Sequence, residues 1–111
     1  MRGTTLVAAA AVAVGLTGTV AEAKPATCFT SDDGRYPCDF RGFGGDGSFT
    51  ISARGVPTYT ISIQGRSLAD GFANFGGEGA RNIFLPGPFI RSNSDRACWV
   101  SEATAFRICA Y

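Results

Sequence analysis

Residues 48–64 read SFTISARGVPTYTISIQ, and this stretch decides the fold class. Polar and apolar residues alternate on both sides of an Arg-Gly-Val-Pro break, which is the period-two pattern of half-buried β-strands. The break at residues 54–57 predicts a short turn, so the two strands form an antiparallel hairpin. Its apolar face carries Phe49, Ile51, Ala53, Tyr59, Ile61 and Ile63.

The glycine-rich stretch before this hairpin imitates two nucleotide-binding motifs. Residues 42–47 match G-x-G-x-x-G, and residues 41–44 match the first half of an RNA-binding motif. A dinucleotide site needs a helix directly after the glycines, but the alternating strand follows instead. The RNA-binding motif should continue with further aromatics on a strand, whereas Gly-Asp-Gly stands there. We therefore predict a turn without a bound phosphate, with Phe43 folded back over the core.

The rest of the chain continues in short apolar segments separated by turns. Strands are predicted at residues 38–40, 82–85, 89–92, 97–100 and 106–111, and a strand or turn at residues 71–75. Residues 76–81 are too rich in glycine for regular structure, and residues 67–70 are expected to form one helical turn. The pattern predicts an all-β fold, a small antiparallel β-sandwich or barrel of six to eight short strands.

The amino terminus predicts export. Met1-Arg2 is a short positive start, residues 6–16 are uncharged and mostly apolar, and residues 21–23 read Ala-Glu-Ala. This is the organisation of a cleaved signal peptide, and the apolar run is too short to span a bilayer as a helix. We therefore expect residues 1–23 to be removed and residues 24–111 to be a single disulfide-bonded β-domain, periplasmic or secreted and not inserted in a membrane. Residues 24–27 are expected to be a linker.

Four cysteines, Cys28, Cys38, Cys98 and Cys109, predict two disulfides in an exported chain. If residues 102–105 form the turn of the last hairpin, Cys98 faces Cys109 directly, at bridging distance for a non-hydrogen-bonded pair. The favoured pairing is then Cys28 with Cys38 and Cys98 with Cys109. The rival pairing joins Cys28 to Cys109 and Cys38 to Cys98. Zinc is disfavoured because there is no C-x-x-C spacing and no histidine.

Candidate catalytic groups are scarce. The chain has no histidine, which is the commonest general base, and its net charge is +1. Asp32 and Asp33 are adjacent acids, but Asp-Asp-Gly is foremost a turn. The spacing of the acidic residues does not fit a calcium loop. We predict no enzyme activity, no cofactor, no metal and no nucleic-acid partner.

A binding module agrees better with these features. The candidate surface is the glycine-rich loop at residues 76–81 with its flanks, comprising Phe72, Phe75, Glu78 and Arg81. The expected partner of this monomer is a protein or a polymer of the cell envelope or extracellular space. Two alternatives stay open: an inhibitor of a foreign hydrolase, and a structural envelope protein without a discrete ligand.

One short segment resembles a known family. Gly-Glu-Gly-Ala-Arg at residues 77–81 is similar to the Ser-Gly-Ala-Arg segment of periplasmic inhibitors of c-type lysozyme, which are small disulfide-tied β-barrels. The resemblance implies a periplasmic barrel that inhibits a hydrolase. The inhibitory serine of that family falls at Glu78, and its later lysine has no counterpart here, since Lys24 is the only lysine.

Overall fold

The computed structural model describes residues 22–111, so residues 1–21 of the expected signal peptide lie outside the described part. The described chain contains nine strands and no helix. They are β1 (Lys24–Thr30), β2 (Gly34–Phe43), β3 (Ser48–Ala53), β4 (Val56–Gly65), β5 (Leu68–Asn74), β6 (Ile83–Phe84), β7 (Phe89–Arg91), β8 (Cys98–Ser101) and β9 (Arg107–Ala110).

Eight strands close into an antiparallel barrel, and β6 is an additional strand. The order around the barrel is β4, β3, β2, β1, β9, β8, β7 and β5, and β5 pairs with β4 to complete the ring. Short β6 lies beside the second half of β5, and β7 lies beside its first half. The prediction of an all-β fold, a small antiparallel sandwich or barrel, is confirmed in its barrel form, and the ninth strand lies beyond the expected six to eight.

Within the barrel, β1 and β9, the first and last strands along the described chain, are neighbours. Ile108, Cys109 and Ala110 of β9 pair with residues of β1. Thr27 and Tyr111 extend this pairing, because the amide of each donates to the carbonyl of the other at 3.3 and 2.7 Å. The expectation that residues 24–27 form a linker is therefore wrong: these residues are held as a strand between β2 and the carboxyl-terminal segment.

The hairpin β3–β4 supplies much of the core. Phe49, Ile51, Tyr59 and Ile61 are buried, while Ala53 and Ile63 pack against the same cluster. The predicted inward face is thus confirmed. The turn is shorter than predicted because β4 already begins at Val56.

One glycine allows the core to close around a phenylalanine. A Cβ atom on Gly71 of β5 would lie 2.5 Å from Cε1 of Phe89. Phe89 is fully buried at the start of β7, so its ring occupies the space that a side chain at residue 71 would need. Only glycine fits there without moving the ring.

Both disulfides follow the favoured local pairing. Cys28–Cys38 lies in the core cluster and joins neighbouring strands β1 and β2. Cys98 and Cys109 are direct partners in the β8–β9 register, as predicted. The second bridge is covered by polar groups, since Nη2 of Arg107 lies 3.4 Å from Cys98 Sγ and the Tyr111 hydroxyl 3.6 Å from it.

Two local predictions are wrong, and one strand is shorter than predicted. The helical turn at residues 67–70 is absent because residues 66–67 are a two-residue turn and β5 starts at Leu68. The strand predicted at residues 82–85 is only Ile83–Phe84. Phe43 does not cover the core, since 43% of it is exposed on the outward side at the end of β2.

Candidate functional site

The connections between strands gather at two opposite ends of the barrel. Because consecutive strands are antiparallel, residues 31–33, 54–55, 75–88 and 102–106 lie at the same end. We call this the loop end. It includes the longest connection among the described residues, which contains β6 and the glycine-rich segment at residues 76–81. Binding residues commonly lie on such loops, which a rigid scaffold holds in place.

A concave cavity of about 240 Å³ opens at the loop end, and we call it the cup. Its floor consists of buried residues near strand ends, and its walls come from three different connections. The lining comprises Tyr59, Ala73 and Phe89 on the floor, with Asp32, Phe75, Leu85, Pro86, Thr104 and Phe106 on the walls.

Buried Ser101 fixes two walls of the cup to each other. Its hydroxyl donates to the carbonyl of Pro86 at 2.7 Å. The same oxygen accepts from the amides of Ala103 and Thr104, each at 3.1 Å. The amide of Glu102 also donates to the carbonyl of Pro88 at 2.9 Å. The β8–β9 turn is therefore joined to the connection before β7.

A second set of hydrogen bonds holds the β1–β2 turn over the barrel. Oδ2 of Asp33 accepts from the Thr30 hydroxyl at 2.7 Å and from the Tyr59 hydroxyl at 2.9 Å. Burial raises the pKa of Tyr59 above its usual value, and its bond to the Asp33 carboxylate raises it further. Tyr59 thus remains a neutral donor at neutral pH and ties the turn to the floor of the cup.

The adjacent carboxylates Asp32 and Asp33 have different surroundings. Asp33 is bound by two hydroxyl groups, whereas Asp32 is exposed and lines the cup. Within residues 22–111, no hydrogen bond to the Asp32 carboxylate is found. Asp32 is also the one charged residue in the lining, so an otherwise apolar cavity carries a single negative charge with unused acceptor capacity.

The structure separates the four residues of the predicted binding surface. Phe75 lines the cup and is 67% exposed. Phe72 points to the outer face of β5, where its ring meets that of Phe84 edge-on at a centroid distance of 5.4 Å. Glu78 and Arg81 are exposed in the loop, and neither lines the cup.

Sequence reasoning did not identify the cup. It placed Tyr59 on the apolar face of the β3–β4 hairpin and treated Asp32 only as part of a turn. The signal for a shared site lies in the topology, because each of these residues is near a strand end on the same side of the barrel. To predict that these residues lie together, one must know the order of the strands in the sheet. The alternation of polar and apolar residues along one strand does not give that order.

The opposite end holds a cavity of about 480 Å³ beside Phe43 and a smaller one of about 210 Å³ beside Trp99. Arg91 points into the smaller cavity, with its guanidinium carbon 5.4 Å from the centroid of the Trp99 ring. Nε of Arg91 also donates to the carbonyl of Arg96 at 2.8 Å. This arginine therefore already has an aromatic and a carbonyl partner within the fold.

No group of three or more histidine, cysteine, aspartate or glutamate side chains comes together as a metal site among residues 22–111. In the same part of the chain, no helix is long and apolar enough to span a bilayer. Comparisons with models of protein families, with curated proteins and with solved structures find no match to this chain.

Proposed function

We propose that this chain is an exported, non-enzymatic protein that binds a macromolecular partner through its loop end. The main observation in support is the exposure of large apolar side chains there: Phe75 is 67%, Phe84 61% and Ile83 42% exposed. All three side chains lie in the connection between β5 and β7, and large exposed apolar groups gathered in one region of a soluble domain mark interaction sites. The ends of the loop that carries them are held by β5 and β7, which pair with each other in the barrel.

The form of the sheet favours binding over a structural role. A protein that assembles through its sheet needs a free edge for further strands. In the described sheet the free edge is β6, and it has two residues. Inhibition of a foreign hydrolase is the second candidate, because the exposed tip at residues 76–81 carries Glu78 and Arg81 and could enter an enzyme cleft.

The two disulfides indicate an oxidising compartment. We place the protein in the periplasm or outside the cell, with residues 1–23 removed. Cleavage there leaves β1 complete, because this strand begins at Lys24. Intact mass of protein from periplasm or medium should match a chain starting at Lys24; a chain retaining Met1 in that fraction would contradict export by cleavage.

The binding proposal is tested by retention of envelope and extracellular proteins on the immobilised chain 24–111. We compare the wild type, the double variant Phe75→Ser/Phe84→Ser, and Phe43→Ser as a matched control at the opposite end. A partner held by the wild type and the control but lost by the double variant supports the proposal. Equal retention by all three variants, or no retained partner, argues against it.

Hydrolase assays with the wild type and with Glu78→Ala distinguish an inhibitor from a protein that binds a partner without inhibiting it. Added to assays of c-type lysozyme and other secreted hydrolases, the wild type should lower the rate if the chain is an inhibitor, and Glu78→Ala should restore it. Binding without any effect on these rates supports the broader role.

A further inference from the structure

We propose that the cup receives a basic side chain, an arginine or lysine, of a protein partner. This inference rests on the proposed function and adds the chemistry that the partner must present. It follows from the composition of the cup, which combines four aromatic residues, Tyr59, Phe75, Phe89 and Phe106, with one carboxylate, Asp32.

The aromatic residues favour a cation. A positive group within about 6 Å of a ring centroid is attracted by the ring face, by roughly 0.5–2 kcal/mol depending on its exposure to water. The rings of Tyr59 and Phe106 lie close to each other, at a centroid distance of 5.9 Å, and both line the cup. Tyr59 is only 3% exposed, so the rings that a cation in the cup can reach are those of half-buried Phe106 and exposed Phe75.

Asp32 determines the sign of the charge. Its carboxylate has no hydrogen-bond partner among residues 22–111, and no cationic residue lines the cup. An apolar ligand would take water away from this carboxylate and leave it unpaired, which is costly. An acidic ligand would add repulsion. A guanidinium or ammonium group supplies the missing partner.

The size and shape of the cup fit a long basic side chain. A cavity of about 150 Å³ in another protein is large enough for benzene, and the cup measures about 240 Å³. Arginine and lysine have an apolar stem and a charged end. The stem can lie on the half-buried side chains of Leu85 and Phe106 while the charged group stays near Asp32.

The test uses a side-chain analogue, so it does not depend on having the partner. We titrate the chain 24–111 with n-butylguanidinium, and in parallel with neutral 1-pentanol and anionic pentanoate, following amide shifts by NMR. We expect butylguanidinium to shift amides at residues 32, 73–75 and 104–106, pentanol to bind several-fold more weakly, and pentanoate not to bind. Higher salt should weaken binding of the cation.

Two substitutions assign the binding to the cup. Asp32→Asn should raise the Kd for butylguanidinium roughly three- to fivefold, as expected for a partly exposed ion pair. Phe106→Leu should weaken it by a similar factor. The matched control is Glu102→Gln, which removes a charge from the same end without touching the lining and should leave the Kd unchanged.

Equal affinity for pentanol and butylguanidinium, or an unchanged Kd in Asp32→Asn with its thermal stability intact, would overturn the inference. These outcomes are distinct from failure of the proposed function. A partner that is lost with Phe75→Ser/Phe84→Ser but indifferent to Asp32→Asn leaves the function standing and rejects the basic side chain. Binding of the analogue without any retained partner supports the preference of the cup for a cation but rejects the protein partner.

Discussion

The ring of Phe89 lies directly against the Cα atom of Gly71, so close that a Cβ atom at residue 71 would be 2.5 Å from Cε1. This contact joins β5 to β7 at the floor of the cup. Gly71→Ala should therefore force the ring aside and lower the free energy of unfolding by about 1–3 kcal/mol.

Gly65→Ala is the matched control, because nothing lies within 4 Å of a Cβ atom at that strand position. Its unfolding free energy should stay within about 0.5 kcal/mol of the wild type. Urea unfolding of both variants measures the difference. Equal stability of the two alanine variants would show that Phe89 can move freely.

Removal of the hydroxyl group should change the free energy of unfolding differently at two tyrosines near the loop end. The Tyr59 hydroxyl donates to Asp33 at 2.9 Å, whereas the buried Tyr36 hydroxyl has no hydrogen-bond partner in the described part of the chain. Tyr59→Phe should cost about 1 kcal/mol, while Tyr36→Phe should be neutral or stabilising. Thermal or urea unfolding compares them; a loss at Tyr36 as large as that at Tyr59 would contradict this assignment.

Stability should fall in alkaline solution because of the same residues. Burial and the nearby Asp33 charge raise the pKa of Tyr36 to about 12, and burial with the Asp33 hydrogen bond raises the pKa of Tyr59. An unfolded tyrosine ionises near pH 10. Above that pH the unfolded chain has released protons that the folded chain still holds, so the unfolding free energy falls.

The expected loss extends from about pH 10 upward. It should be smaller in the double variant Tyr36→Phe/Tyr59→Phe, which removes both groups. Unfolding measured at several pH values between 8 and 12 checks this. A wild-type curve parallel to that of the double variant would mean that neither tyrosine has a raised pKa.

The two disulfides should differ in their contribution to stability. They span similar separations of 10 and 11 residues, so in the chain-entropy model each contributes about 3 kcal/mol. Cys28–Cys38 also fills space in the core cluster, whereas Cys98–Cys109 lies under Arg107 and Tyr111.

The double variant Cys28→Ala/Cys38→Ala should therefore lose more stability than Cys98→Ala/Cys109→Ala, since a core cavity adds to the entropic loss. Urea unfolding of both variants under the same conditions gives the order. A larger loss in Cys98→Ala/Cys109→Ala would indicate that the Cys98–Cys109 bridge contributes more packing than the Cys28–Cys38 bridge.

Ser101→Ala tests how the cup is held open. The substitution removes the donor to the Pro86 carbonyl and the acceptor for two amides in a buried position. We expect a loss of about 1–3 kcal/mol in unfolding free energy. Amide hydrogen exchange should also rise at residues 103–104; unchanged exchange there would show that other contacts hold the turn.

The alternation of polar and apolar residues correctly predicted which side chains fill the barrel where a strand has one buried face. Phe49, Ile51 and Ile61 are inside because their period of two matches the pleat. The final hairpin was predicted even in register, because a turn at residues 102–105 places Cys98 opposite Cys109, as the structure has it.

Two of the failures have one cause, which is that a strand or a site depends on a neighbouring strand in the sheet. Lys24 and Pro25 carry no strand signal of their own and become a strand only because β2 extends beside them. Asp32 and Phe106 share the cup because the barrel brings β1 and β9 together. A pattern read along a single segment does not contain that neighbour relationship.

The pairing of β1 with β9 also sets the earliest point at which the barrel can close during folding. A ribosome or an export channel delivers the chain from its amino end, so β1 becomes available long before Arg107–Ala110. Until then β1 has β2 on one side and an open edge on the other. Pairing β1 with β9 joins strands at opposite ends of the described chain, a slow kind of contact. Until β9 is available, the sheet is therefore incomplete and the outer edge of β1 can pair with other chains. Pairing with the four residues of β9 covers this edge.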